Sequence, residues 1–235
     1  STPEPPMPRA TSAAANASTR QKLIDAGKRL FGLHGFEATS TRVLAAAAGV
    51  NLAAIPYHFG GKEGLYHAVA QDIVASEKAS LDPVFAHALA VGADPSAGRA
   101  DVIEAMRSLV RVLVVELIGT EESQNTSQIM LQEQIAPTPA FHIFYDGVYR
   151  GAIEAWTGLL SRLTGLAPDS LELKLRALSI LGQITIFRVG MAAVLRLMDR
   201  ETLTPEHVEA VTRVVISQVE AIVAGLSPPP PEVAA

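Results

Sequence analysis

The chain has 235 residues, 49% of them hydrophobic and only 5% aromatic, with a formal net charge of −5. That length allows one large or two modest domains with a buried core. Its lack of cysteine excludes disulfides, thiolate nucleophiles and cysteine-ligated metals together, and fits a cytoplasmic address.

Residues 1–17, rich in Pro, Ala, Ser and Thr, lack the apolar periodicity that buries a face. They read as a disordered arm, without the basic and apolar segments of a secretory signal. A first helix is expected from Ser18 to His34, with Leu23, Gly27, Leu30, Phe31 and His34 at helical spacing, Gly35 as its breaker and Phe36 joining the core. His34 is expected to pack there or to meet the helix C-terminus. Ser40 is a hydroxyl N-cap for a short helix Thr41–Ala48, whose four consecutive alanines hold no neighbour away. Gly49 can take the left-handed conformation that ends a helix, and Asn51 can cap a second helix running to about Phe59. Two short helices on a glycine turn form a helix-turn-helix pattern. With Asn51 as cap, Pro56 falls one turn inside the second helix, where it deletes a backbone hydrogen bond and crowds the Leu52 carbonyl; the helix either starts later or kinks.

A helix starting near Lys62 carries Leu65, Val69 and Ile73, and Pro83 should end or kink it. Gly92–Gly98 is a loop, and Asp101 caps a helix with Val102, Met106, Leu109, Leu113 and Leu117 that ends at Gly119. Thr120–Thr126 reads as polar loop, Ser127–Ile135 as a short helix stopped by Pro137, and Thr138-Pro139 as the start of a long helix to Gly165. Helices at about Asp169–Met198 and from Thr204-Pro205 to Gly225 follow, then a frayed Pro-rich tail at 227–235. No strand-period alternation or internal repeat is present, so the fold class is all-α. The longest apolar stretch, Leu178–Leu195, is interrupted by Gln183 and Arg188, and no membrane span is expected.

The charge is divided along the chain. Residues 18–66 hold six basic and three acidic residues, a net +3, whereas 67–235 hold twelve and twenty, a net −8. A positive head on an acidic body turns the head toward phosphate.

Residues 18–73 resemble the DNA-binding domain of the TetR family of bacterial transcriptional regulators. The resemblance rests on Thr19-Arg20, Leu30-Phe31, Gly35-Phe36, Thr39-Ser40, Ala48-Gly49-Val50, Tyr57-His58-Phe59-Gly60, Lys62-Glu63 and Leu65. Gly182-Gln183, Phe187-Arg188 and Pro137-Thr138-Pro139 are similar to the C-terminal domain of the CecR-like subgroup. Together they imply a three-helix DNA-binding domain at 18–64 and a helical effector-binding and dimerisation domain at 65–226.

By resemblance, the DNA-facing set is Ser40, Thr41, Arg42, Asn51, Leu52, Ala53, Ala54, Tyr57, His58 and Lys62, with 51–54 turned to base edges. Leu52, Ala53 and Ala54 can touch thymine methyls but make no bidentate hydrogen bonds, so direct readout falls to Arg42 and Asn51. Thr41, Tyr57, His58 and Lys62 can donate to phosphates. Pro56 departs from the aromatic or polar residue usual in the family.

In the second domain the stem of Arg188 should be buried among Leu181, Ile184, Met191 and Leu195, with Glu116 or Glu133 as a structural counterion. The alternative is that Arg188 and Gln183 meet a polar or anionic effector, with Phe141, Tyr145 and Trp156 as apolar wall, in a pocket between the 101–118, 139–165 and 169–198 helices. Val208, Val211, Val215, Val219 and Ile222 form a stripe on a last helix apolar beyond one buried face, which the resemblance assigns to a two-fold four-helix bundle. No P-loop, nucleophile elbow or zinc motif occurs, and the six histidines show no metal-ligand spacing, so no enzyme activity, cofactor or metal is expected. The expected protein is a homodimeric, ligand-responsive regulator, a repressor, whose partners are a near-palindromic double-stranded operator and a small-molecule effector of unknown identity. The alternative is a helical dimeric module that binds a small molecule or protein without sequence-specific DNA binding.

Overall fold

The computed structural model describes residues 10–226, in which every regular element is helical. The outermost parts of the expected arm and tail, 1–9 and 227–235, lie outside the described residues. The chain divides into two compact units that meet in sequence at Ile73 and Val74. Beyond the expected boundary near 64, Leu65, Tyr66, Val69, Ala70 and Ile73 are all buried and belong to the first unit.

In the first unit, α1 (Ala10–Ala38) begins eight residues before the expected Ser18, taking in residues 10–17 of the expected arm. Alanine carries the smallest helix cost, so the Ala13-Ala14-Ala15 stretch extends the helix while staying on the surface from Ala14 on. Gly35 interrupts α1 with φ 80° and ψ 170°, as a breaker should. Thr39 stitches the kink, donating from its buried hydroxyl to the Gly35 carbonyl at 2.7 Å. The core comprises Leu23, Ile24, Ala26 and Phe31 of α1, Leu44 and Ala45 of α2 (Thr41–Ala48), Ile55 of α3 (Ala54–Phe59) and the first three turns of α4 (Lys62–Ala93). Tyr66 meets Phe31 edge-on at 5.0 Å and Phe36 at 4.9 Å, and Lys28 pairs with Asp72 at 2.6 Å, so α1 and α4 are joined by both rings and charge. His34, expected to pack or to meet the helix C-terminus, is exposed beside the break at Gly35.

Pro83 neither ends nor breaks α4. Pro83 and Ala79, whose carbonyl loses its helical donor, both lie on the exposed side, where water can supply the missing bond.

The second unit continues with α5 (Arg99–Ile118), α6 (Glu121–Ile135), α7 (Phe141–Phe144), a π-helical turn (Tyr145–Tyr149), α8 (Arg150–Thr164), α9 (Leu171–Val189), α10 (Met191–Met198) and α11 (Pro205–Ala224). Asp101 is not the cap of α5 but accepts from the Gly98 N–H at 2.8 Å, one turn before it. The expected loop at 120–126 is the first part of α6, closed by a reciprocal cap: Ser123 N–H donates to Thr120 Oγ1 and Thr120 N–H to Ser123 Oγ. Thr138 Oγ1 accepts from the Ala140 N–H at 3.1 Å and donates to buried Glu133. The long helix from there is interrupted by the π turn, and the one from Ser170 by Gly190, with a 66° bend between α9 and α10. Among the described residues no single helix is long and apolar enough to cross a membrane, though α9 and α10 together are.

α4 lies close against the π turn and α8. A Cβ on Gly147 would stand 2.3 Å from a Val74 methyl, and one on Gly151 would stand 3.0 Å from the Phe85 ring, so glycine permits this approach. The core is built on α5, flanked by α8, α9 and α11. Val208, Val211, Val215 and Val219 are buried in it and do not form a free surface; Arg107 of α5 pairs with Glu220 of α11 at 2.6 Å beside them. The stripe was correctly apolar, but its partner is α5 of the same chain. Only Ile222 of that set is exposed.

Candidate nucleic-acid interface and internal cavity

The interface is assembled by local bonds. Val43 N–H donates to Ser40 Oγ at 3.3 Å and starts α2. At its end Gly49 sits at φ 64°, ψ 35°, and the Val50 and Gly49 N–H groups reach the Ala45 and Ala46 carbonyls, a Schellman closure that reverses the chain. Asn51 Oδ1 then accepts from the Ala53 N–H at 2.9 Å. That bond closes a turn ahead of α3 and does not cap its first residues. α3 begins at Ala54, and its first i to i−4 bond runs from Tyr57 to Ala53. Pro56 therefore falls in the first turn, where N–H groups have no intrahelical acceptor, and the helix starts late without a kink.

The resulting surface presents Ser40, Arg42, Asn51, Leu52, Ala53 and Tyr57 exposed, with Thr41, Ala54 and His58 half-buried. Arg42 makes no hydrogen bond or ion pair among the described residues, and Tyr57 is 74% exposed, with only the edge of His58 against its ring. A guanidinium and a phenol left unpartnered beside a glycine turn are free to donate to a nucleic acid. Ile55 is core and Phe59 half-buried, as their expected packing roles require. Lys62, expected at phosphate, donates its ammonium to the Phe36 carbonyl at 2.8 Å and the Glu37 carbonyl at 3.5 Å and lies 4.2 Å from the Phe36 ring centre. It fastens the start of α4 to the end of α1, and its remaining donor alone is left for phosphate. Two further residues escaped the sequence reading. Val43 is exposed beside Arg42, and Arg20 lies over the Phe59 ring at 5.3 Å. Thr19-Arg20 and the helical offset of Val43 from Leu44 were the available signals.

In the second unit a cavity of about 350 Å³ lies between α5, α8 and α9, with α4, α6 and the π turn completing its walls. Phe141 and Tyr145 line it, but Trp156, Gln183 and Arg188 do not. Trp156 is 0% exposed in the core. Gln183 is a step of about 100° round α9 from both Gly182 and Ile184, and the lining positions Leu178, Leu181, Gly182 and Thr185 turn away from it.

Arg188 is half-buried and held by hydrogen bonds to α6. Its Nε and Nη2 donate to the Gln124 carbonyl at 3.2 and 2.9 Å, and Nε to Ser127 Oγ at 3.2 Å, so it ties α9 to α6 through neutral acceptors. Burial lowers its guanidinium pKa from the ordinary value. Glu133 is engaged by Thr138, and Glu116 lines the cavity. Glu77, Gln134 and Tyr149 escaped the sequence reading, and Glu116, expected as a counterion of Arg188, joins them at the cavity; four separate helical segments bring the four together. Tyr149 donates to the Met130 carbonyl at 2.7 Å. Among the described residues no cluster of His, Asp and Glu is arranged to hold a metal.

Comparison with known proteins gives two family matches. The model for bacterial regulatory proteins of the tetR family matches residues 23–69, and that for the C-terminal domain of the HTH-type transcriptional dual regulator CecR matches 102–226. The HTH-type transcriptional dual regulator CecR of Shigella flexneri is 31% identical over 208 residues, covering 88% of this chain and 92% of that protein. A TetR-like transcriptional regulator from Rhodococcus sp. RHA1 superposes with a TM-score of 0.59 at 21% identity, over 94% of this chain and all of that one. AibR in complex with isovaleryl coenzyme A and operator DNA superposes with a TM-score of 0.59 at 16% identity, over 90% of this chain and 99% of that one.

Proposed function

The chain belongs to the TetR family of bacterial regulatory proteins, a transcriptional regulator with a DNA-binding helix-turn-helix and a CecR-like C-terminal domain, and from that premise we propose that it acts as a homodimeric, ligand-responsive repressor of a near-palindromic operator. One observation carries the operator reading: α2, the turn before α3 and α3 itself hold Arg42, Asn51, Leu52 and Tyr57 outward while Leu44, Ala45 and Ile55 between them are buried in the core. Arg42 and Asn51 read base edges, Ala53, Ala54 and Leu52 pack on thymine methyls, and Ser40, Thr41, Tyr57 and His58 grip phosphates. Repression by occupancy needs no surface beyond this one.

The dimer reading moves from the buried valines of α11 to the exposed face of α9. Leu171, Leu175, Leu178, Ile186 and Val189 lie along one side of that helix, and α11, packed beside it, adds Val214 and Ile222. Such a stripe is apolar along the length of α9, and a second copy of α9 and α11 would cover it as a four-helix bundle. Gly182 supports this reading. It costs a mid-helix position about 1 kcal/mol relative to alanine, yet a Cβ there would meet nothing within 4 Å in its own chain.

The effector site is the cavity of the second unit. Its volume lies within the range of small-molecule sites, and Glu77 and Leu81 of α4 contribute to its walls. The same helix starts at Lys62 in the DNA-binding unit, so an effector that binds one position of α4 more tightly than another biases DNA affinity by that difference.

Operator selection from randomised duplex, followed by affinity measurement over a salt series, tests the reading. Half-sites should recur about one helical turn apart or somewhat more, roughly 34–36 Å, and affinity should fall steeply with salt. Arg42→Ala should cost about 1–3 kcal/mol on the selected duplex and much less on random DNA. Equal losses on both would remove Arg42 from base reading.

A further inference from the structure

The cavity has a charge character that its apolar walls do not suggest. Glu77 and Glu116 both line it, while among the described residues no lysine, arginine or histidine does. Glu116 is half-buried and makes no hydrogen bond or ion pair among the described residues. Two cations stand behind the wall: Arg188 reaches lining Ser127 and is held by the Gln124 carbonyl, and Arg150 lies 5.5 Å from the centre of the lining Tyr145 ring while paired with Asp146; buried Glu133, on α6, is a further negative charge behind the lining. Burial raises the Tyr149 hydroxyl pKa above the ordinary phenol value; a hydrogen bond with Gln134 lowers it in part, and the charges of Glu133 and Glu77 add the smallest contributions upward. Phe141 has the Tyr145 and Tyr149 rings 5.9 and 6.2 Å from its own, a cluster whose faces attract cations.

We propose that this cavity binds an organic cation with an apolar body, an alkyl- or arylammonium, whose charge is met by Glu116 and Glu77 and whose body lies against Phe141, Tyr149 and the leucines of α5 and α9. The proposal rests on the reading of the cavity as the effector site and adds the chemical class. A half-buried carboxylate such as Glu116 must be hydrated, neutralised or paired, and a bound cation supplies a counter-charge where the dielectric is low. An anionic effector, such as an acyl coenzyme A, would place phosphate or carboxylate oxygens against two acidic residues with no cation among the lining side chains to compensate.

Three probes of one chain length separate charge from hydrophobicity: octyltrimethylammonium, octan-1-ol and octanoate, titrated calorimetrically into the full-length protein and scored for release of the selected operator. The ammonium should bind at least about tenfold more tightly than the alcohol, and octanoate more weakly than either. In Glu116→Gln the ammonium should lose most of that preference while the alcohol binds as before, which also shows that the variant is folded; Glu77→Gln is the second variant. Octanoate binding as tightly as the ammonium, or a preference that survives both substitutions, overturns the cation assignment and leaves the effector site standing. If none of the three binds while operator binding is intact, the effector reading of the cavity falls, and the cation assignment with it.

Discussion

The two units solve the placement of functional side chains in different ways. In the helix-turn-helix each important geometry is made by a bond between residues a few positions apart: Ser40 to Val43, Gly49 to Ala46, Asn51 to Ala53. In the second unit the cavity is walled by α4, α5, α6, the α7 to α8 segment and α9, and its carboxylates come from α4 and α5. A surface made of local bonds keeps its outward residues whatever the rest of the chain does. A cavity made by packing redistributes them, and a residue chosen for chemistry on one helix can end in the core, as Trp156 does, or tied to a neighbour, as Arg188 does.

Substitutions at three positions test how far this difference extends. The largest effect should come from Trp156→Ala. Full burial in the core predicts a loss of about 3–5 kcal/mol in denaturant stability, followed by circular dichroism, from transfer and cavity terms together. A loss below about 1 kcal/mol would return Trp156 to the cavity wall as a ligand contact. An intermediate effect, confined to assembly, is expected for Ile186→Glu. At 55% exposure in the single chain it should leave the melting of the monomer within about 0.5 kcal/mol of wild type, while a buried unpaired charge at the two-fold interface weakens association measured by sedimentation. A variant that remains as dimeric as wild type would move the interface off α9. The smallest effect belongs to the local unit. Pro56→Asn restores an N–H that the first turn of α3 does not use, so stability should change by no more than about 0.5 kcal/mol, roughly 1–2 °C in melting temperature. A rise of about 3 kcal/mol would mean that Pro56 is strained in a helix interior after all.

Several features of this chain follow from its sequence alone, because their causes lie within a few residues of their effects. The all-α class, the Gly35 and Gly49 breaks, the Ser40 cap and the starts at Lys62 and Pro205 are of this kind. The late start of α3 was also open to reading, since Pro56 tolerates a first turn and penalises an interior. The extension of α1 and the α6 cap were missed for a related reason: alanine and reciprocal Thr-Ser caps favour helix without burying a face, and periodicity detects only burial.

The partner of an apolar or charged face was decided by tertiary structure. The spacing of Val208, Val211, Val215 and Val219 specified a stripe, but whether α5 or a second chain covered it depended on residues about a hundred positions away. The same holds for Arg188, which found the Gln124 carbonyl in place of a carboxylate, and for Glu116, which was left facing a cavity. A helix period states which residues share a face. Which other face meets it is set by long-range packing, where many weak contacts are summed over the whole core and no single residue carries the signal.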